Sequence, residues 1–369
     1  MLVKIEKESV FNLYKELSKL SDIRRNEGKR HKIELTFIIV ILAIMSGYQG
    51  YRAIGDFIKR NRKELISYFK PEKGRLPSFS TIRRVMNNIN FEELCRIFEK
   101  WSRNYIEIKE KEWISLDGKE ISGTIPEEEH KFVNLVSLFA IEKKLVYTMG
   151  KVDEKSNEIP KVQELIGNFP VSKVVFRMDA LHCQKKTIKK ILEKQSYYVL
   201  QVKTNQGKLY TKIEFIAKYF PKVASNVMHE KNRGRVELRE LTIYKGGMDL
   251  KYEWDKLKYV IQVKRTVKHK DGKITEETAY FITNLRESAK FFNKGIREHW
   301  NIENSLHYVK DVVFKEDRLK IRSGMAPQNF SLLRSLVMNV LRKNGYRSIM
   351  QATRLLALNI RAMMMLLCC

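Results

Sequence analysis

The hydrophobic pattern of this chain changes at Glu112, and this change constrains the fold more than any other feature. Before Glu112, apolar residues recur at helical spacing, as in ELTFIIVILAIM (34–45). After it come short runs rich in Val, Ile, Tyr and Phe, which are typical of strands. Five of these runs and two helical stretches follow in the order three strands, helix, strand, helix, strand. That order predicts an α/β fold built on a mixed sheet.

The same changes of pattern divide the chain into regions. Residues 1–107 are helical in pattern and predict an all-helical N-terminal domain, our candidate for DNA binding. The α/β core comprises 108–205 and 286–345. Between its two parts, residues 206–285 alternate apolar and polar residues without clear helices and contain an Asp-Gly turn, which predicts a β-rich insertion. Residues 346–369 form a C-terminal tail.

Capping residues and periodicity predict three helix boundaries. Ser80 can cap a helix that runs over IRRVMNNI. Ser156 or Asn157 can cap a helix that has Pro160 in its first turn. A longer helix is expected from near Arg286 to beyond Trp300.

Charge and cysteine content limit the partners and the compartment. The chain carries 71 Lys and Arg against 43 Asp and Glu, a net charge of +28, which favours nucleic acid as a partner. Its four cysteines show neither a Cys-x-x-Cys metal spacing nor a disulfide framework, as in a reducing compartment. The first residues lack a secretory apolar core, and the longest apolar run, 37–45, is too short to span a bilayer. We expect a cytoplasmic protein with no membrane partner.

Three acidic residues are predicted to lie where α/β folds have their functional residues. Asp117 ends the predicted strand WISLD, and Asp179 ends VVFRMD further along the same sheet. Glu303 lies on the predicted long helix. Three carboxylates form an oxygen-rich cluster of the kind that hard divalent cations such as Mg²⁺ prefer. Two such ions about 3.5–4 Å apart can activate a nucleophile and stabilise the leaving oxygen of a phosphodiester.

Neighbours of these acids could contact DNA. At helical spacings of three, four and seven, Trp300, His299, His307 and Lys310 share a face with Glu303. The basic residues Lys119, Arg297 and Lys310 are suited to positioning phosphates.

Each of these residues also has a structural interpretation. An Asp-Gly pair at a strand end is usually a turn, and a single helical Glu is usually a solvated charge. On spacing alone, a metal site and a purely structural role are about equally favoured for the three acids. Core packing is the favoured role for Trp300 and for His182-Cys183. Helix capping is the favoured role for Ser156, Asn157 and Glu158, and an active-site role is the lesser alternative.

Several motifs resemble one family of insertion-sequence proteins, the ISAs-type or H-repeat-associated transposases. In order and spacing these are LDGK (116–119), EKSNEIP (154–160), MDALHCQK (178–185), KTNQG (203–207), RGRVELR (233–239) and HWNIENSLHYVKDVVFKED (299–317). The associated helical domain of that family resembles RRNEGKRH (24–31), SGYQGYRAIGDF (46–57) and LPSFSTIRRV (76–85).

The resemblance implies a DDE transposase with a ribonuclease-H-like core. Asp117, Asp179 and Glu303 would be the catalytic triad and would hold two Mg²⁺ or Mn²⁺ ions. The expected activity is metal-dependent cleavage at the terminal inverted repeats of the element, followed by strand transfer into target DNA by a homodimer. The residues expected to contact double-stranded DNA are Lys119, Arg297, His299, Lys310, Arg83 and Arg84.

This sequence departs from the wider superfamily in two places. The superfamily pattern Tyr-x₂-Arg-x₃-Glu-x₆-Lys falls on Ile296, His299, Glu303 and Lys310, so only the Glu and the Lys match. The ending ALNIRAMMMLLCC is also unlike the family. Two alternatives therefore stay open: an inactive or domesticated DNA-binding protein, and a metal-dependent nuclease without strand transfer.

Overall fold

A computed structural model describes residues 13–22, 24, 29–124, 132–232, 234–357 and 359–368. Residues 25–28 of the RRNEGKRH stretch lie outside the described residues. Within the described ranges, no helix combines the length and the hydrophobicity needed to cross a bilayer.

The N-terminal part is helical, as its periodicity predicts. Its helices are α1 (Ile33–Met45), α2 (Tyr51–Arg60), α3 (Arg62–Phe69), α4 (Phe79–Asn88) and α5 (Phe91–Tyr105). The expected cap of α4 is wrong by two positions: Ser78, rather than Ser80, accepts the hydrogen bond from the Thr81 amide, at 3.3 Å. The helix therefore begins at Phe79.

The central part is a mixed sheet in the predicted order. Its elements are β1 (Trp113–Ile121), β2 (Val133–Ala140), β3 (Leu145–Lys151), α6 (Glu158–Asn168), β4 (Val175–Met178), α7 (Lys185–Glu193) and β5 (Tyr197–Val202). Strand β1 pairs antiparallel with β2 and parallel with β4, and β4 pairs parallel with β5. Asn157 caps α6 by accepting from the Ile159 amide at 3.0 Å, as expected.

The insertion extends this same sheet. It contains α8 (Gly207–Tyr219), β6 (Lys222–Asn232), β7 (Arg235–Lys245), α9 (Met248–Glu253), β8 (Tyr259–Lys268) and β9 (Ile274–Thr283). Strand β9 pairs antiparallel with β5, so that the described strands form one sheet in the order β3-β2-β1-β4-β5-β9-β8-β7-β6. The expectation of no helices is wrong, because Leu209, Ile213 and Ile216 give α8 a buried face at helical spacing.

The C-terminal part returns to helices. It contains α10 (Ala289–Glu298), a short turn (Trp300–Ile302), two π-helical turns (Glu303–His307 and Val309–Val313), α11 (Ala326–Lys343), α12 (Ile349–Leu356) and α13 (Ile360–Cys368). The helix expected from near Arg286 to beyond Trp300 is present but irregular. It begins at Ala289, after the Ser288 cap, is interrupted at His299, and continues through Trp300–Ile302 into the two π-helical turns.

Helix α1 lies at the centre of the helical part of the molecule. All 13 of its residues are buried, because it packs against α11, α12 and α13 from the other end of the chain as well as against α2 and α4. The loop before α11 also contacts α4: the Met325 amide donates to the Asn87 carbonyl at 2.9 Å. The N-terminal helices and the last helices therefore share one hydrophobic core.

Candidate active site

Asp117 and Asp179 lie at the same level of the sheet. Ser115 of β1 pairs with Arg177 of β4, and each aspartate follows its strand's paired residue by two positions. Asp117 does not end its strand as the sequence suggested. The parallel pairing with β4 stops at Ser115, but β1 continues against β2 as far as Ile121. The carboxylate thus projects where the parallel part of the sheet opens.

Glu303 reaches Asp117 from the first π-helical turn. The imidazole Nδ1 of His307 lies 3.4 Å from Glu303 Oε2 and 3.7 Å from Asp117 Oδ2. One ligand atom from each of these three residues lies within 4.8 Å of the others. Helices with the i→i+5 pattern are rare and are frequently found at functional sites. Here that turn brings an acid and an imidazole to the strand carboxylate.

Asp179 lines the same cleft but is outside this 4.8 Å group. Its Oδ1 lies 3.4 Å from Nε2 of His299, whose Nδ1 is 2.8 Å from the Ser115 hydroxyl. We assign a neutral ring that donates from Nε2 to Asp179 and accepts from Ser115 at Nδ1. Burial lowers the pKa of His299 to about 4, which supports the neutral form. The hydrogen bond from His299 in turn holds the pKa of Asp179 far below its usual range.

Asp117 is the electrostatically strained member of the site. Burial, together with the like charges of Glu303, Asp179 and Glu158, raises its pKa to about 8. The pKa of Glu303 is instead lowered, first by its hydrogen bond with His307. Carboxylates forced together in this way are stabilised by a nearby cation.

The donor set fits a hard divalent ion. Carboxylate oxygens are the ligands that Mg²⁺ and Mn²⁺ prefer, and Asp117, Asp179 and Glu303 all face one cleft. The structure therefore supports a cation at these acids, with Asp117 and Glu303 close enough to share it.

The cleft beside the acids has a volume of about 340 Å³ and is closed on its far side by the insertion. Lys203 follows β5, and Arg239 and Arg265 come from β7 and β8. Both arginines bind the buried carboxylate of Glu237, at 2.8 and 2.9 Å, which fixes their positions. Lys203 and Arg239 fall within the motifs KTNQG and RGRVELR, but the sequence did not place them or Arg265 beside the acids, because strand pairing in residues 206–285 is what brings them there.

Trp300 also lines this cleft, and 55% of its surface is exposed. The expectation that it packs in the core is wrong, because its side chain lies at the cleft surface. His182 and Cys183 are buried, as expected.

Two residues expected to contact phosphates are engaged by acidic side chains. Lys119 Nζ lies 2.8 Å from Asp311 and 3.2 Å from Asp317. Arg297 lies 2.8 Å from Glu230 of β6. Their charges are thus partly compensated within the chain.

Lys310 is buried, with 2% of its surface exposed, and its Nζ donates to the Ser331 hydroxyl at 2.8 Å. In this structure its ammonium is out of reach of DNA, contrary to expectation. Seven residues make nearly two turns of an α-helix but fewer than two turns of a wider π-helix, so Lys310 does not return to the face of Glu303. Burial lowers its pKa to about 8.

Arg83 and Arg84 lie on the exposed side of α4, far along the chain from the acids. The other side of this helix is buried through Ile82, Val85 and Met86. Phe79, at the start of the helix, is 49% exposed. Helix α4 thus presents an aromatic ring and two cations to solvent.

Two family models match the chain. Residues 14–102 match the DDE_Tnp_1-associated domain, and residues 109–340 match the transposase DDE domain. The first match corresponds to the N-terminal helices, and the second spans the sheet, the cleft and most of α11.

Similar proteins occur in Escherichia coli. The chain is 32% identical over 346 residues to "Putative transposase YncI" of E. coli O157:H7, covering 90% of this chain and 88% of the relative. It is 32% identical over 340 residues to "H repeat-associated putative transposase YhhI" of strain K12, covering 89% and 90%. A protein encoded in the dhlA 3′ region of Xanthobacter autotrophicus is 26% identical over 267 residues, which are 70% of this chain and 90% of that protein.

These matches extend over nearly the whole chain and include the segments that carry all three acids. The chain belongs to the DDE transposase family of insertion sequences.

Proposed function

We propose that this protein cleaves DNA at the ends of its insertion sequence and joins those ends to target DNA. The observation that carries the proposal is the meeting of Asp117, Glu303 and His307 within 4.8 Å in a cleft that Asp179 also lines. The alternative roles of turn and solvated charge do not explain why distant acids converge.

The strand order supports a ribonuclease-H-like core. Strands β3-β2-β1-β4-β5 are antiparallel up to β1 and parallel from β1 to β5. The first acid lies on the first strand, the second follows the fourth, and the third lies on a late helical segment, as the family resemblance implies. We propose that 108–205 and 286–345 form this core and that 206–285 is an insertion that completes the cleft.

The three acids, the two histidines beside them and three cations of the cleft have proposed tasks. Asp117, Asp179 and Glu303 bind two Mg²⁺ or Mn²⁺ ions, His307 orients Glu303, and His299 orients Asp179. When bound, such ions polarise the phosphodiester and lower the pKa of the attacking hydroxyl group. Lys203, Arg239 and Arg265 bind the phosphates of the strand that lies in the cleft.

The reaction proceeds in two displacements. In the first, the oxygen of water bonds to the scissile phosphorus, the bond from phosphorus to the 3′-oxygen breaks, and a free 3′-hydroxyl remains. In the second, this 3′-oxygen bonds to a phosphorus of the target and displaces the target's own 3′-oxygen. We propose that a homodimer holds the two inverted repeats during these steps, on the DNA of a bacterial nucleoid.

Cleavage and strand transfer on DNA carrying the element's inverted repeats test this function. With Mg²⁺ we expect both cut and joined products, and with EDTA neither. Asp179→Asn keeps the side-chain shape but removes the charge, so we expect both products to be lost while DNA binding persists. Asp249→Asn, an exposed residue on α9, is the matched control and retains activity.

Product analysis separates the alternatives. Cut ends without joined products would identify a nuclease. Binding without any cutting by the wild type would identify an inactive DNA-binding protein. Cleavage by Asp179→Asn at the wild-type rate would contradict the assignment of this acid.

A further inference from the structure

Glu158, the first residue of α6, lies directly against the strand that carries Asp117. A Cβ placed on Gly118 would collide with both carboxylate oxygens of Glu158. Gly118 is in extended strand and has no positive φ, so its lack of a side chain serves this close approach and not a turn. The carboxylate therefore occupies the side-chain space next to Asp117.

One polar side chain binds Glu158 in this place, and a second lies beside it. Asn134 Nδ2 of β2 donates to Oε1 at 2.9 Å. His182 Nε2 lies 3.8 Å from Oε2. His182 is 2% exposed, and its other ring nitrogen, Nδ1, is buried with no hydrogen-bond partner among the described residues.

These contacts connect the two strand ends that carry the aspartates. Gly118 directly follows Asp117. The amide of His182 donates to the Asp179 carbonyl at 3.0 Å, in the tight turn that Asp179 begins. Glu158 lies between Gly118 and His182, so its position affects the distance between Asp117 and Asp179.

We propose that Glu158 is a positioning residue of the acidic site, which holds Asp117 and Asp179 at their working separation and strengthens the binding of a divalent cation there. This proposal rests on the proposed function, since it assumes that the acids bind a cation. Groups that orient metal ligands typically change metal affinity 10- to 100-fold when they are altered. A purely structural role is the competing explanation, because an acid in the first turn also stabilises a helix.

Calorimetric titration of the full-length protein with Mn²⁺, in the absence of DNA, distinguishes the positioning role from the purely structural role. Glu158→Gln keeps the hydrogen bond geometry but removes the charge, and we expect Mn²⁺ affinity to fall by about 10-fold. Gly118→Ala should also lower the affinity for Mn²⁺, because the added methyl group displaces the Glu158 carboxylate. Glu164→Gln on the same helix is the control: its side chain is 51% exposed, and its affinity should match the wild type.

The possible outcomes are distinct. A folded Glu158→Gln protein with wild-type Mn²⁺ affinity, changed only in its melting temperature in EDTA, would overturn the positioning role and leave the proposed function intact. Absence of Mn²⁺ binding by the wild type would overturn the metal-dependent function itself. If Glu158→Gln does not fold, Glu158→Asp, which withdraws the charge from Gly118, is measured instead: reduced affinity supports the proposal, and wild-type affinity overturns it.

Discussion

At the scale of single residues, the carboxylates that are suited to bind a cation also destabilise the unliganded fold. Asp117 is held near three other carboxylates, and its pKa is raised to about 8 in the absence of a cation. His299 and His307 each stabilise one neighbouring acid, whereas Asp117 receives little compensation. The unliganded protein therefore holds a proton that the unfolded chain would release.

This difference predicts a pH dependence of stability. The ordinary pKa of an aspartate is 3.8, whereas the pKa of Asp117 in the folded protein is about 8. Between these values the folded state binds more protons than the unfolded state, so the free energy of unfolding decreases as pH rises from about 4 to about 8. Asp117→Asn has no carboxyl group to titrate at this position, so its free energy of unfolding does not show this decrease with pH. In EDTA we expect the variant to melt at a higher temperature than the wild type at pH 8.5, with a much smaller difference at pH 6.

Asp249→Asn serves as the control, because it makes the same substitution at an exposed acid on α9. Equal melting temperatures of the wild type and Asp117→Asn at pH 8.5 would show that the carboxylates do not repel one another as the structure indicates.

At the scale of elements, periodicity predicted the sheet but not the irregular segments. The order β1 to β5 and the position of Asp179 after β4 followed from short β-branched runs and their ends, whereas Asp117 lies inside β1 and does not end it. The π-helical turns could not be predicted, because Glu303, His307 and Lys310 also fit an ordinary α-helix. Nor does an alternating pattern show that β9 pairs with β5, which brings Arg239 and Arg265 to the acids. The nearness of Glu158 to Gly118 likewise depends on how α6 packs.

Helix α4 is the element that we expect to contribute DNA affinity outside the cleft. Arg83 and Arg84 are exposed on it, while its C-terminal end is anchored to α11: Asn329 Nδ2 donates to the carbonyls of Met86 and Ile89 at 2.9 and 3.0 Å. The double change Arg83→Ala and Arg84→Ala should weaken binding to the element ends and reduce the slope of log affinity against log salt by about 1 per lost phosphate contact.

Fluorescence anisotropy over a range of salt concentrations measures this slope. Lys186→Ala with Lys189→Ala on α7 makes the same change of net charge at other exposed positions. If both double variants lose affinity equally, α4 contributes only to the general charge and makes no specific contact.

At the scale of the whole molecule, the two ends of the chain depend on each other. The unusual apolar ending forms α13, in which Ile360, Met363 and Leu367 are buried, and this helix packs on α1. The Ser46 hydroxyl after α1 contacts Met363 Sδ at 3.1 Å. Deleting residues 1–107 would therefore expose the core face of α11 to α13, and loss of end binding in such a deletion would not identify the DNA-reading element.

A single core residue tests this dependence with the chain kept whole. Met363 is fully buried, and Met363→Ala removes its contacts with α1, so we expect the free energy of unfolding to fall by about 2–5 kcal/mol. Leu355 on α12 is 64% exposed, and Leu355→Ala should change stability by less than about 0.5 kcal/mol. Denaturant unfolding compares the two. If Met363→Ala is as stable as Leu355→Ala, α13 is not part of the core, and the unusual ending can be removed without loss of the fold.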